Sequence, residues 1–343
     1  MRIYIYSGGE HLVAKSGVGQ AIRHQREMLR RAGVETTDRW SGDAWAIHIN
    51  TVLPDILPAV FWARLTGRKV VCYGHSTMED FRHSFRGSDA LAPLFRRWIT
   101  FCYGLGDVVL TPTEYSRHLL ESYGLKRPVY AISNGVDTDF FAPNPALREA
   151  FRQRRGLRAG EKAVVSVGHT IARKGLPEFA DLARRMRSVR FIWYGWTDPR
   201  LVPADIRQVM ETAPENLDFP GYVDREELRE AYCGADAFAF MSHEETEGIV
   251  VLEALACGIP TVLRDIPVYD GWLEDGKNVY KAADQEDFQR TLEGILSGTL
   301  PDLTAAGRAV AEERSLEAVG QRLREIYRRE NILPLLVPKR ARA

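Results

Sequence analysis

Ala237-Phe238-Ala239-Phe240-Met241-Ser242-His243-Glu244-Glu245-Thr246-Glu247-Gly248-Ile249-Val250-Val251-Leu252-Glu253-Ala254-Leu255-Ala256-Cys257-Gly258 runs from an apolar pentad, through closely spaced carboxylates and a glycine, into a second apolar run. The pentad has the character of a buried strand, and the run after Gly248 has the length of a helix closing at Gly258. A strand that empties through acidic residues into a helix N-terminus is where α/β proteins place ligands. Glu245 falls in the loop and Glu253 about two turns into the helix, so the two can hold different parts of one ligand. A solvated acidic turn with a helix-capping carboxylate is the competing reading of the same residues.

Working outward, strand signals recur at 2–6, 45–50, 69–73, 107–111 and 129–132, and again at 163–167, 190–194, 236–241 and 261–263. Helical or loop sequence separates each from the next, which predicts two sets of βα units, each a mainly parallel sheet. A chain of 343 residues also exceeds one ordinary core, so two domains are expected. Ser133-Asn134-Gly135-Val136-Asp137 is turn-rich, Pro143 and Pro145 follow, and a basic run occupies 148–158. The expected division is 1–150 as an N-terminal domain and 151–314 as a C-terminal domain. The remainder, 315–343, is expected as a helix (315–330) and a basic tail with Lys339, Arg340 and Arg342, packing back towards the N-terminal domain. A cleft between two such domains is a preferred place for a small-molecule site.

Lys and Arg total 46, as do Asp and Glu, so formal net charge is zero and a global attraction to nucleic acid has no support. Cys72, Cys102, Cys233 and Cys257 lie in or beside apolar runs without CxxC spacing, which reads as small core residues in a reducing compartment. The first residues, Met1 to Ser7, read as a strand rather than a signal segment, and no apolar run reaches bilayer-spanning length. A soluble or peripheral cytoplasmic protein is expected. His24, His48, His75, His83, His118, His169 and His243 are scattered without metal-ligand spacing.

Other candidate positions follow strands. Gly17-Val18-Gly19 comes after a long loop at 7–16 and precedes a helix expected at 20–31, where backbone amides can approach a phosphate or sugar. Asp38 lies about twenty residues on, as in dinucleotide fingerprints, but the long loop and Ile22 in the third glycine position oppose a nicotinamide site. An ordinary glycine-assisted turn remains the alternative. His75, in Gly74-His75-Ser76-Thr77-Met78-Glu79-Asp80-Phe81, stands at a strand's carboxyl end, fit either for an active cleft or for a structural role. Arg173-Lys174-Gly175 places two cations between a strand and a helix, suited to diphosphate oxygens or simply exposed. The glycine-marked bend at 216–223, with Tyr222, is suited to line a base pocket. In 81–101, Leu91, Leu94, Phe95, Trp98 and Phe101 share one helical face with Arg96 and Arg97 at its edge. That is the pattern of a membrane-surface helix facing anionic lipid, or of an amphipathic helix packed on its own sheet.

Taken together, these motifs resemble the retaining, GT-B type glycosyltransferases of family 4 over most of the chain. Glu245 and Glu253, with Gly248 between, match the family's paired glutamates. Asn134-Gly135-Val136-Asp137 matches its interdomain connection, Lys174-Gly175 its phosphate-binding lysine and glycine, and His75 its active-site histidine. A closer resemblance is to bacterial glycosyl-diacylglycerol synthases that add a second hexose to α-glucosyl-diacylglycerol. It is carried by 15–25, His48-Ile49-Asn50-Thr51, 74–82, Pro112-Thr113-Glu114-Tyr115-Ser116, 244–253 and Arg264-Asp265-Ile266-Pro267-Val268-Tyr269. One departure is His169, where many members carry arginine.

The resemblance implies an α/β GT-B fold, with two Rossmann-like domains whose parallel sheets face an interdomain cleft. It implies transfer of a hexose, with retention, from UDP-galactose or UDP-glucose to a glycosyl-diacylglycerol acceptor. His75 and Glu245 would be catalytic, while Gly17, Gly19, Arg173, Lys174, Tyr222, Gly248, Ile249 and Glu253 would hold the donor. Side-chain cations at the diphosphate would make a bound metal unnecessary, and no other cofactor is implied. Asp80, Phe95, Arg96, Arg97 and Trp98 would serve the acceptor and an anionic membrane surface, placing the enzyme peripherally on the cytoplasmic face. The lipid acceptor favours the membrane reading of 81–101. The same fold acting on a soluble saccharide or cell-wall acceptor, or binding a nucleotide sugar without turnover, are the competing readings.

Overall fold

The computed structural model describes residues 2–6, 8–9, 16–40, 42–85 and 87–332. Most of the 7–16 loop, Arg86 and the basic tail with Lys339, Arg340 and Arg342 lie outside them. The described residues form two parallel six-stranded sheets. The first contains β1 (Arg2–Ile5), β2 (Glu35–Thr37), β3 (Ala44–Ile49), β4 (Lys69–Tyr73), β5 (Val108–Thr111) and β6 (Val129–Ala131), in the order β2-β1-β3-β4-β5-β6. The second contains β7 (Lys162–Val167), β8 (Val189–Tyr194), β9 (Leu217–Gly221), β10 (Ala237–Phe240), β11 (Thr261–Arg264) and β12 (Tyr280–Ala282), in the order β12-β11-β10-β7-β8-β9. This is the expected α/β class, and all nine expected strands are present.

Three strands escaped the sequence reading, and each is a sheet edge: β2, β9 and β12. The 216–223 stretch is corrected accordingly. It is edge strand β9, paired with β8 through Phe191–Leu217 and Ile192–Asp218, and the bend is confined to Gly221 at φ +82°. Pro220 lacks an N–H, which an edge strand tolerates and a central one does not.

The chain forms two compact units. Unit 1 comprises Met1–Thr77, Arg96–Gly135 and Leu316–Ala343, and unit 2 comprises Met78–Phe95 and Val136–Ser315. In unit 1, Leu316, Val319, Leu323 and Tyr327 line one face of helix Leu316–Arg329 and join the core formed by Ile3, Ile5, Met28 and Val71. Each of these side chains contributes roughly 1.5–3 kcal/mol by leaving water, which holds the last helix on the first sheet. In unit 2, Phe179, Phe191, Trp193 and Met241 centre the core between the sheet and helix Leu176–Arg185. Cys72, Cys102 and Cys257 are buried, Cys233 is half-buried, and all four are free thiols.

Two local constraints in this architecture have measurable consequences. His48 of β3 is wholly buried, with Nδ1 bonded to Gln25 Oε1 at 3.2 Å and Nε2 bonded to the Tyr327 hydroxyl. Since the amide oxygen only accepts, Nδ1 carries the proton and Nε2 accepts from the tyrosine. Burial pulls His48 and, beyond β4, His75 down to about 3. Both are therefore neutral in the fold, whereas an unfolded histidine titrates near 6.5. Their stabilisation is complete above pH 6.5 and is lost as pH falls towards 3. At pH 5.5 each costs about 1.4 kcal/mol, so the urea midpoint of unit 1 should fall between pH 7.5 and 5.5. An unchanged midpoint would contradict neutral burial.

The second constraint is Gly175, at φ +81°, where an added Cβ would stand 2.4 Å from the Met241 carbonyl oxygen. A glycine there lets the loop after β7 lie against the end of β10. Gly175→Ala is expected to destabilise unit 2 by about 2 kcal/mol or more, read as a lower thermal midpoint.

Candidate active site

In unit 2 the chain winds from β7 to β8 and β9 on one side, and from β10 to β11 and β12 on the other. The loops beyond β7 and β10 therefore part at a topological switch point, where open parallel sheets bind ligands. They are joined by a backbone and a side-chain hydrogen bond. The His243 N–H donates to the Arg173 carbonyl at 2.8 Å, and Arg173 Nη1 donates to the Glu244 carbonyl at 2.6 Å. Lys174 Nζ and Glu245 form an ion pair in which both side chains are nearly buried. Burial pushes the Glu245 carboxyl up, but Lys174 and Arg173 pull it below the usual carboxylate range, so it stays ionised.

The opening stretch is not a solvated acidic turn. Glu245, Glu247 and Glu253 are 7%, 1% and 3% exposed. Glu247 in particular is enclosed, rather than serving as solvated charge at the helix start. Gly248, at φ +87°, is the entry to helix Ile249–Cys257, and both Ile249 and Glu253 lie on its buried surface. The Tyr232 hydroxyl donates to Glu253 Oε2 at 3.3 Å. Glu245 and Glu253 thus have separate settings, one beside cations in the loop and the other inside the helix layer.

Arg173 is placed differently from a loop cation open to solvent. It is buried, and its guanidinium holds Asp80 at 2.8 Å and donates to Ser84 Oγ at 3.3 Å. Asp80, expected on the acceptor side, thus meets Arg173 within unit 2. His169 donates from Nδ1 to the Trp196 carbonyl at 2.9 Å. Burial lowers its affinity for a proton and the nearby Lys174 and Arg173 lower it further, outweighing the Trp196 bond. A ring so disposed does not supply the charge of an arginine. Tyr222 lies just past β9 and is 51% exposed.

In unit 1 the switch point lies between β1 and β3. Helix Gly17–Arg31 begins three residues earlier than expected, with Ser16 as its extended N-cap and the Gln20 N–H bonded to the Ser16 carbonyl at 3.1 Å. Gly17 and Gly19 therefore sit in the first turn, Gly17 exposed and Gly19 buried. His75 stacks on Tyr73 at 4.5 Å, and its Nε2 lies 3.4 Å from Asn50 Oδ1. Just beyond β3, Asn50 Nδ2 and Thr51 Oγ1 are buried without a hydrogen-bond partner within the protein. Buried polar atoms left open in this way mark a place for ligand oxygens or water. Both belong to the His48–Thr51 motif that carries the resemblance, but sequence reading assigned neither of them a site role.

The 81–101 stretch divides into helices Met78–Phe81 and Ser88–Gly104. Its expected single face also divides. Leu91, Leu94 and Phe101 are 49%, 64% and 50% exposed. Phe95 instead stacks on Phe81 at 4.0 Å, and the Trp98 indole donates to the Val52 carbonyl at 2.6 Å. Arg96 lies over the Tyr123 ring at 5.0 Å, while Arg97 is exposed. A neighbouring helix, Ile56–Leu65, exposes Phe61, Trp62 and Leu65 at 64%, 53% and 63%. Arg64 ties that helix to the end of Ser88–Gly104 through Asp107 and the Leu105 carbonyl, each at 2.8 Å. Sequence reading missed this second apolar face, whose signal was a ten-residue helix carrying a single charge. Among the described residues, no helix is long and apolar enough to cross a membrane, and no group of three or more metal-ligating side chains is gathered.

Comparison with known proteins places this arrangement. Residues 148–309 match the family described as Glycosyl transferases group 1, and residues 38–140 match Glycosyltransferase Family 4. The chain is 37% identical over 331 residues to a processive diacylglycerol alpha-glucosyltransferase of Acholeplasma laidlawii, covering 95% of this chain and 98% of that one. It is 28% identical over 350 residues to an alpha-galactosylglucosyldiacylglycerol synthase of Streptococcus pneumoniae, covering 97% and 91%. The crystal structure of Anabaena HepE in complex with UDP and glucose shares the fold, with a TM-score of 0.74 at 16% identity over 96% of this chain and all of that one. A relative matched along nearly its whole length, together with two parallel α/β units and a family match in each half, makes the chain a member of the GT-B glycosyltransferases of family 4.

Proposed function

We propose that the protein is a retaining hexosyltransferase that moves a hexose from a UDP-sugar to a glycosyl-diacylglycerol at the cytoplasmic face of a membrane. The observation that carries the reading is the nearly buried Lys174–Glu245 pair beside the Gly248 helix start. Breaking the anomeric C–O bond leaves its electron pair on the UDP diphosphate and positive charge on the sugar. Lys174 and the first amides of helix Ile249–Cys257 stabilise that diphosphate, with Arg173 once Asp80 yields it. Glu245 then turns from Lys174 to the transferred hexose, and Glu253 holds the ribose. His75, neutral through burial, hydrogen-bonds the sugar. The amides at Gly17 and Gly19 approach the diphosphate, and Tyr222 serves the nucleotide end. The acceptor hydroxyl attacks on the face the leaving group departs from, and its proton passes to a phosphate oxygen. In this scheme the chain's own cations meet the diphosphate charge, and no metal takes part.

The two relatives named above support the lipid acceptor. The name of the 37%-identical protein also favours a second reading within this class, with glucose as the donor sugar and diacylglycerol itself as an acceptor. For the membrane surface, the support in unit 1 is Phe61, Trp62 and Leu65, exposed on one helix, and Arg97 and Phe101, exposed on another; in unit 2, Leu91 and Leu94 are exposed as well. Arg96, engaged with Tyr123, has the smaller part.

Incubation with radiolabelled UDP-glucose or UDP-galactose and either diacylglycerol, α-glucosyl-diacylglycerol or soluble saccharides, followed by lipid extraction, tests the reading. Label in the lipid phase is expected, and label confined to water-soluble saccharides would refute the lipid acceptor. Glu245→Ala and Lys174→Ala should each lower kcat by about a hundredfold or more; undiminished transfer would remove the site assignment. The pair Phe61→Ala, Trp62→Ala should cut partitioning onto anionic vesicles by about tenfold or more without lowering the thermal midpoint. Arg97→Glu should give a smaller, salt-sensitive loss, roughly fivefold. Vesicle binding equal to wild type in both variants would dispose of the membrane face.

A further inference from the structure

The loop after β11 brings a third group to the ends of β7 and β10. There the turn Pro267–Tyr269 is closed by the Tyr269 N–H donating to the Ile266 carbonyl at 3.1 Å. The Tyr269 ring is fully buried and meets Trp272 edge-on, with centroids 5.7 Å apart. Its hydroxyl has no hydrogen-bond partner within the protein. A buried hydroxyl left open is rare in folded proteins, because water can no longer replace the missing bond.

What lies beside that hydroxyl is informative. A Cβ built on Gly248 would stand 3.4 Å from the Tyr269 oxygen and 3.3 Å from Val251 Cγ2. The phenol therefore faces the bare α-carbon at the start of helix Ile249–Cys257, where backbone N–H groups and the helix dipole favour an anion. Burial, with Glu245 and Glu244 nearby, holds the phenol well above its ordinary range, so it keeps its proton.

We propose that Tyr269 is a donor-binding residue, its hydroxyl donating a hydrogen bond to a diphosphate oxygen of the nucleotide sugar as that group settles at the Gly248 helix start. This rests on the UDP-sugar reading above and adds a ligand to it. Gly248 is already called for by its φ of +87°, and a Cβ there would also stand against the Tyr269 hydroxyl, Val251 and Phe240. Tyr269 is the last residue of the Arg264–Tyr269 motif, which had no assigned role in the scheme above.

Tyr269→Phe removes one oxygen and keeps the ring. Calorimetric titration with UDP and with UDP-glucose, alongside thermal unfolding without ligand, tests the proposal. The expected result is a loss of affinity of about ten- to a hundredfold for both ligands, with a thermal midpoint equal to or above wild type. The midpoint holds because the substitution deletes only an unmade bond. A purely structural hydroxyl would move the results the other way, with a lowered midpoint and unchanged affinity, and that outcome overturns the proposal. So does a loss confined to UDP-glucose, which would place the bond on the hexose. If the wild type itself fails to bind UDP, the donor reading falls; if it binds and Tyr269→Phe binds equally, only this inference falls.

Discussion

A carboxylate and an ammonium held together almost out of water are the constraint on which the site depends. Burying either charge alone is costly, and removing one partner of such a pair typically costs about 3–5 kcal/mol. Lys174 and Glu245 come from loops that share no secondary structure, so the pair exists because β7 and β10 are neighbours in a parallel sheet. The backbone bond from His243 to Arg173 and the close approach of Gly175 to Met241 fix the two loops against each other. Sheet order, loop contact and charge pairing are one arrangement at three scales.

That arrangement has a chemical direction. Lys174 is paired with Glu245, and Arg173 with Asp80. In the proposed scheme a diphosphate takes both cations, and each exchange releases a carboxylate, a group well suited to accept hydrogen bonds from sugar hydroxyls. On that proposal, the carboxylates that order the cations become available to the substrate. Cationic stabilisation of a leaving group is effective when it is organised beforehand, and the internal ion pairs provide that organisation.

Much of this was legible in the sequence, for identifiable reasons. Central strands of a parallel sheet are buried on both faces and announce themselves as apolar runs, as at Phe238–Phe240 or Val164–Val165. The edge strands β2 and β12 have only three residues each, and β9 is interrupted by Asp218, Pro220 and Gly221, so all three escaped notice. The spacing of Glu245 and Glu253 could be read directly because both belong to one loop and helix. The partner of Arg173 could not, since Asp80 is far away in sequence and meets it only through the fold. Phe61 and Trp62 were passed over because an apolar helical stretch reads equally as core, and only exposure separates the two. Tyr269 shows the same limit: its motif was visible, but an unpartnered hydroxyl is a property of three-dimensional packing alone.

The most direct test of the account is calorimetric titration of UDP into wild type and Lys174→Met. The charge of Lys174 at the switch point is held to be what binds the diphosphate. The account predicts binding by wild type and a loss of about thirtyfold or more in the variant, despite the similar length and packing of methionine. Equal affinity in the two proteins would contradict it.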